Sequence, residues 1–171
     1  ISASHTLRAS ASTNRIALEN LGVGNFDLPE RALGGRQLFS NVRIQEAGPL
    51  GRRAFINTRL AYTQIELDIR PATEAPTLIV LDAFNAGGAQ QRTDSTTKHA
   101  TLVSDIDYVR GIHSWRAGSQ VDVNWTRASQ ANNYLGTYTF SSREAYDAGV
   151  PALYSRIVGE PEVSYFNAMA G

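Results

Sequence analysis

Cysteine is absent from the sequence, so the chain has neither a disulfide framework nor a thiolate metal site. The sequence also lacks any apolar run as long as a transmembrane helix, so a role in a membrane would require a β-barrel. Neither sign of charge is in excess, with 16 basic and 16 acidic residues, which argues against a nucleic-acid-binding surface. The chain begins at Ile1 without a recognisable signal peptide, so we expect a processed chain or a piece of something larger.

The patterns of catalytic and cofactor sites are missing as well. The carboxylates Asp82, Glu160 and Glu162 lack the spacing of a general acid–base pair, and no serine lies in a nucleophile-elbow motif. Asp105 and Asp107 share one face of a strand and could hold a hard cation, but a solvated or lumen-facing polar row is the preferred interpretation. We therefore expect no enzymatic activity, no cofactor and no metal.

The stretch Trp115–Trp125 has the most informative pattern in the chain. Its odd-numbered positions are apolar or small, and its even-numbered positions, apart from Gly118, are strongly polar, which is typical of a β-strand with two different faces. At about 3.3 Å per residue and a tilt of about 40°, it spans about 25 Å, the height of the apolar band of an outer-membrane barrel. A tryptophan at each end fits the aromatic girdles of such a barrel. The alternative is a long strand of a soluble sandwich with one solvated face.

Other segments alternate in the same way and predict two sets of functional residues. Gln37–Glu46 and Ala54–Leu67 read as a hairpin around a turn at Gly48–Gly51, and His99–Val109 leads into the tryptophan-bounded strand. We expect the lipid-facing residues and the girdle to be Trp115, Val121, Val123, Trp125, Ile56, Leu60 and Tyr62. We expect the lumen-facing residues to be Arg59, Arg116, Gln120, Asp122 and Asn124.

Glycine, asparagine and proline mark three long external loops, at Leu21–Pro29, Arg70–Gln90 and Ala128–Glu162, with Asn85–Gln90 as a turn. A brief helix is predicted at Ser141–Gly149, with Ser141 as its N-cap and Glu144 completing a capping box. The external loop residues singled out are Phe84, Asn85, Tyr134, Tyr138, Phe140, Tyr146 and Tyr154. The aromatic side chains, with Tyr165 and Phe166, could line a carbohydrate or peptide site; packing of the long loop against itself near the bilayer rim is preferred.

The predicted fold is all-β, with long antiparallel strands joined by short turns and long loops. These strands would form part of an outer-membrane β-barrel, or an open sheet or sandwich. We treat residues 1–171 as a single β-rich segment of seven or eight strands. It has strand hairpins over 1–127, a long aromatic loop with a short helix over 128–162, and the start of a further strand over 163–171.

Five further segments occur in order along the chain: Gly22–Ala32, Gly48–Leu60, Pro76–Gln90, Tyr108–Gly118 and Asn132–Tyr165. Together they resemble the barrel region of TonB-dependent receptors of the Oar-like kind, which carry a carboxypeptidase-regulatory-like domain. The resemblance implies a many-stranded barrel in the outer membrane of a Gram-negative bacterium, filled by a plug and energised through TonB. It also implies that this chain is an interior part of such a receptor, with the plug, the rest of the barrel, TonB and outer-membrane lipid as partners.

Open strand edges support a second hypothesis. Unpaired backbone groups at a sheet edge invite strand addition, so the chain could instead be an extracellular structural protein whose copies pair into a filament. A third possibility is a ligand-binding sandwich that uses the aromatic loop, which would need a concave aromatic patch with convergent polar groups.

Overall fold

The computed structural model describes residues 4–171, which form ten β-strands, one short α-helix and a 3-10 helix at Pro29–Arg31. In chain order the elements are β1 (Thr6–Leu21), β2 (Leu33–Leu50), β3 (Ala54–Pro71), β4 (Thr77–Val80), β5 (Phe84–Gly87), β6 (Gln91–Arg110), β7 (His113–Asn132), β8 (Thr137–Phe140), α1 (Arg143–Asp147), β9 (Leu153–Ser155) and β10 (Glu162–Ala170). The all-β fold class predicted from the sequence is confirmed.

Six strands form one large antiparallel sheet in the order β1-β2-β3-β6-β7-β10. Neighbours in this sheet follow one another in the chain, apart from two insertions, so alternating segments fold back on the strand before them. The turn between β6 and β7 consists of Gly111 and Ile112, because Arg110 pairs directly with His113. Gly111 has a φ of 63°, a conformation that glycine adopts without steric cost.

A small four-stranded sheet, in the order β5-β4-β8-β9, is built from the two insertions. The segment between β3 and β6 supplies β4 and β5, and the segment between β7 and β10 supplies β8 and β9. The central pair, β4 and β8, is parallel, while the outer pairs are antiparallel. Val80, Ala86 and Phe140 are buried here, so the apolar core of the molecule lies at this end.

The sheet has two distinct ends. At the turn end, β2 joins β3 and β6 joins β7 through short connections. At the loop end lie the small sheet, the segment between β1 and β2, and the connection that leads into β10. A bridge between Asp27 and Asn85 joins the β1–β2 connection to β5.

Several element boundaries differ from the expectation. Ten strands replace seven or eight within residues 4–171, and Asn85, expected in a turn, lies in β5. The long aromatic loop begins after Asn132 rather than at Ala128, because pairing with β6 continues to that residue. The helix is capped by Ser142 rather than Ser141, since the Ser142 hydroxyl accepts a hydrogen bond from the Ala145 amide at 3.2 Å.

Within residues 4–171, no helix combines the length and the apolar character needed to cross a membrane.

Candidate functional site: the two faces of the large sheet

The strand register decides which side chains share a face of the large sheet. Residues that pair directly across strands point to the same side, and Trp115 of β7 pairs with Tyr108 of β6. Continuing this register across β3, β2 and β1 gives one face that we call the apolar face and an opposite face that we call the polar face. The apolar face carries Trp115, Val121, Val123, Trp125, Ile56, Leu60 and Tyr62. The polar face carries Arg59, Arg116, Gln120, Asp122 and Asn124.

The middle of the apolar face is an exposed aliphatic band. Leu60 pairs with Leu102, and Leu102 pairs with Val121, so three adjacent strands place aliphatic side chains in one row. These residues remain 43%, 43% and 39% exposed, respectively. An ordinary water-soluble sheet buries such a row against a second layer. The sheet therefore presents a contiguous apolar surface that suits a non-aqueous environment.

Both tryptophans take part in aromatic pairs at the borders of this band. Trp115 lies 5.7 Å from Tyr108 between ring centroids, and Trp125 lies 5.7 Å from Phe166. Each pair joins neighbouring strands, so the two aromatic borders run across the sheet. Phe166 lies in β10, within the further strand expected over residues 163–171, and contacts Trp125 rather than the loop aromatics with which it was grouped. The pairing of Tyr108 with Trp115 and of Phe166 with Trp125 follows from the strand register.

Beyond Trp125 the apolar face becomes charged. Arg70 pairs with Asp94 at 2.6 Å, and Arg127 pairs with Glu162 at 2.6 Å, both towards the loop end. A 20-residue strand such as β7 is about 65 Å long, or about 50 Å in height when tilted by about 40°. This is about twice the height of a barrel's apolar band, so the charged part of the sheet extends beyond it.

The polar face carries a hydrogen-bond network across neighbouring strands. The Arg59 guanidinium lies 2.8 Å from the Asp105 carboxylate, and the Gln45 amide donates to Asn57 at 2.9 Å. Because these side chains satisfy one another while staying accessible to water, the face is chemically suited to an aqueous interior.

Asp122 is the centre of a second cluster on the polar face. Its carboxylate accepts hydrogen bonds from the Thr101 hydroxyl at 2.7 Å and from the Gln120 amide at 2.6 Å. His99 lies 3.5 Å away. On the same two strands, nearer the turn end, Arg116 of β7 lies 3.7 Å from Asp107 of β6. Asn124 lies on the same face, and its buried Oδ1 has no hydrogen-bond partner among residues 4–171.

Three arginines on three adjacent strands surround a cavity of about 440 Å³. Arg8 and Arg59 both flank Gln45 across the register, and Arg43 is two residues from Gln45 on β2. We call this cavity the arginine pocket. Guanidinium groups on a water-accessible surface favour carboxylate and phosphate ligands. Arg8 and Arg43 were not recognised from the sequence, where only the pairing of distant segments would have linked them to Arg59.

The external loop residues divide into small contact groups in and around the small sheet. Tyr146 of α1 makes edge contacts with Phe84 at 5.4 Å and with Phe140 at 5.3 Å. Tyr138 and Tyr154 contact each other at 4.8 Å on neighbouring strands. The Phe84–Tyr146 contact joins the two insertions, and the other two contacts lie within the insertion between β7 and β10.

The remaining two external loop residues make polar contacts. Tyr134 donates a hydrogen bond to Glu74 at 2.5 Å and lies under the Arg92 guanidinium at 4.7 Å. Asn85 donates to Asp27 at 3.2 Å. No cluster of three or more potential metal ligands occurs in the part of the chain that the structure describes.

Known proteins offer one informative comparison. No family model and no curated protein matches the chain. The crystal structure of the outer membrane transporter YddB from Escherichia coli is similar in fold, with a TM-score of 0.59 and 12% sequence identity. The match covers 98% of this chain and 22% of that chain, so the present chain spans about a fifth of the transporter's length. The chain thus has the fold of a segment of an outer-membrane transporter, and this likeness does not favour the filament hypothesis.

Proposed function

We propose that this chain forms part of the wall of an outer-membrane transport barrel in a Gram-negative bacterium. In this proposal the apolar face contacts lipid and the polar face borders the interior through which a solute passes. The observation that carries it is the division of one sheet into an exposed aliphatic band between two aromatic pairs and an opposite hydrogen-bonded polar face. The fold similarity to an outer-membrane transporter supports the same assignment.

The ends of the sheet suggest an orientation in the membrane. Outer-membrane barrels have short turns on the periplasmic side and long loops outside the cell. The turn end would therefore face the periplasm, and the small sheet would form part of the external vestibule. There, loops on a rigid barrel would meet the solute first.

The proposed partners follow from the surfaces that remain uncovered. The edges of β1 and β10 carry backbone groups that need further strands in a membrane, so we assign them to pairing with the rest of a barrel. The polar face, including the arginine pocket, would contact a plug, and TonB would energise uptake. The role is passage of a solute rather than a chemical reaction.

Cysteine labelling of neighbouring residues tests this assignment directly. Because the native chain contains no cysteine, each single-cysteine variant has one reactive thiol. In protein within a bilayer, we expect Gln120→Cys to react with a membrane-impermeant maleimide at least about tenfold faster than Val121→Cys. The physical reason is that adjacent residues of a strand point to opposite faces, one towards water and one towards lipid.

A second adjacent pair serves as a matched control on another strand. Val103→Cys should label fast and Leu102→Cys slowly, although both native residues are aliphatic. Denaturing the protein should make all four thiols react at similar rates. Equal labelling of neighbours in the bilayer would contradict the proposal.

A further inference from the structure

A groove of about 640 Å³ crosses the apolar face where the aliphatic band meets the charged part of the sheet. Aromatic side chains form much of its lining, with Tyr62, Trp125 and Phe166 among them. Its two charged lining residues, Lys98 and Arg127, are both basic. The groove therefore combines an apolar lining with a positive charge at one border.

The register places these groups in successive rows. Lys98, Trp125 and Phe166 lie side by side on β6, β7 and β10. The next row towards the turn end contains the apolar residues Ala100, Val123 and Ala168. The row with Lys98 thus lies directly beside the apolar rows that lead into the aliphatic band.

Lys98 is the only lysine among the 16 basic residues of the chain. It is exposed, and among residues 4–171 no carboxylate lies within ion-pair distance of its ammonium group. Arg127 uses its Nε to bind Glu162 at 2.6 Å, which leaves its other guanidinium N–H groups for a further acceptor. The hydroxyls of Thr96 and Ser164 flank Arg127 in the same row and add donors.

We propose that this groove binds the net-anionic, phosphate-bearing headgroup of a membrane lipid, with the acyl chains lying along the aliphatic band. The inference rests on the proposed function, because it requires the apolar face to contact a bilayer. A lipid is favoured over a free anion because the cations lie beside an exposed apolar surface, along which acyl chains can pack. Amphipathic aromatic rings at the same level match the depth of lipid headgroups.

Tryptophan fluorescence can report on this groove. Replacing Trp115 by Phe leaves Trp125 as the single tryptophan, located in the groove itself. In bilayers that contain a small fraction of brominated lipid, we expect brominated phosphatidylglycerol to quench Trp125 more than brominated phosphatidylcholine does. We expect phosphatidylglycerol to bind about fivefold more tightly than phosphatidylcholine, which is the contribution of one basic side chain next to an anionic lipid.

Substitutions at the two ends of the sheet separate the groove from general charge effects. Trp115→Phe with Lys98→Gln should lose the preference for phosphatidylglycerol, and Trp115→Phe with Lys98→Arg should keep it. Trp115→Phe with Arg110→Gln removes a cation from the same face near the turn end and should leave the preference unchanged. Free inorganic phosphate at millimolar concentration should not abolish the preference.

The possible outcomes distinguish this inference from the proposed function. Equal quenching by both lipids would overturn the lipid site while leaving the apolar face in contact with the bilayer. Absence of quenching by either lipid would contradict the proposed function itself. Loss of the preference on addition of phosphate would identify a free anion, rather than a lipid, as the ligand.

Discussion

Gln90 shows how much one buried polar side chain determines at the residue scale. It is 1% exposed, its amide donates to Thr77 at 2.9 Å and to the Gly136 carbonyl at 2.7 Å, and its Oε1 accepts from the Leu135 amide at 2.6 Å. One side chain thus joins both insertions at the base of the small sheet. Nothing local in the sequence distinguishes Gln90 from the adjacent Gln91, so its role could be recognised only from the folded chain.

Replacing Gln90 by Ala should destabilise the small sheet selectively. The change leaves the Leu135 amide without its acceptor, removes one of the two donors to the Gly136 carbonyl, which keeps the Thr77 amide at 3.0 Å, and opens a cavity. Together these effects cost about 2–4 kcal/mol. Amide hydrogen exchange in β4 and β8 should accelerate accordingly, while exchange in β3 and β6 stays unchanged. Gln91→Ala is the matched control and should have little effect. Similar exchange in both variants would show that Gln90 does not hold the insertions together.

At the scale of elements, the alternation of apolar and polar residues predicted strands well where one face of the strand is apolar and the other is polar. Trp115–Trp125 was recognised because apolar or small residues alternate with mostly polar residues through it. The same strand continues to Asn132, but there Arg127 and Ser129 occupy the face that was apolar before. Beyond the aliphatic band both faces carry polar residues, so the alternation that distinguishes the two faces is lost. The sequence therefore revealed the strand and not its full length.

The small sheet could not be predicted from local sequence patterns, for a different reason. Its central contact joins Thr77–Val80 in parallel to Thr137–Phe140, segments about sixty residues apart. A short apolar run such as Thr77–Val80 is compatible with several structures until its partner is known. Likewise, Ser141 and Ser142 are both acceptable caps, and the geometry of the preceding strand decides between them.

A polar contact group centred on Glu74 fastens the β3–β4 connection to its neighbours. Arg92 donates to Glu74 at 2.9 Å, and Tyr134 donates to the same carboxylate at 2.5 Å. The Tyr134 hydroxyl, followed by Arg92, holds the pKa of Glu74 below its ordinary value. Burial, followed by the Glu74 carboxylate, raises the pKa of Tyr134. Both shifts favour an ionised Glu74 next to a neutral tyrosine.

Because the pKa of Glu74 is lowered, the stability of this contact group depends on pH. A carboxyl group with a depressed pKa contributes stability above its ordinary value of 4.5, and this contribution is lost as the pH falls through the lower folded value. Amide exchange at residues 72–76, corrected for intrinsic rates, should therefore indicate more opening at about pH 3 than at about pH 6. Glu74→Gln should reduce this difference, and Glu160→Gln, in an exposed loop, should not. An unchanged difference in Glu74→Gln would assign the effect to other groups.

At the scale of the whole molecule, the exposed surface is too large for a compact monomer. The chain exposes 11345 Å² for a mass of 18.6 kDa, whereas a folded monomer of that mass exposes about 8,200 Å². The buried apolar residues of the described chain are Ala32, Val80, Ala86, Ala131 and Phe140, which lie in or next to the loop end. Within residues 4–171, neither face of the large sheet is covered by a second layer.

This excess surface predicts how the whole chain behaves in solution. Because the aliphatic band is exposed between its aromatic borders, we expect the chain to sediment from detergent-free buffer and to stay dispersed in detergent micelles, which cover apolar surface. Sedimentation with and without detergent, with negative-stain imaging of the pellet, measures this. A stable monomer in plain buffer would mean that the sheet buries its apolar face in another way. Regular fibres in the pellet would favour pairing of the β1 and β10 edges between copies, because strand pairing at two open edges is directional and repeats from one copy to the next.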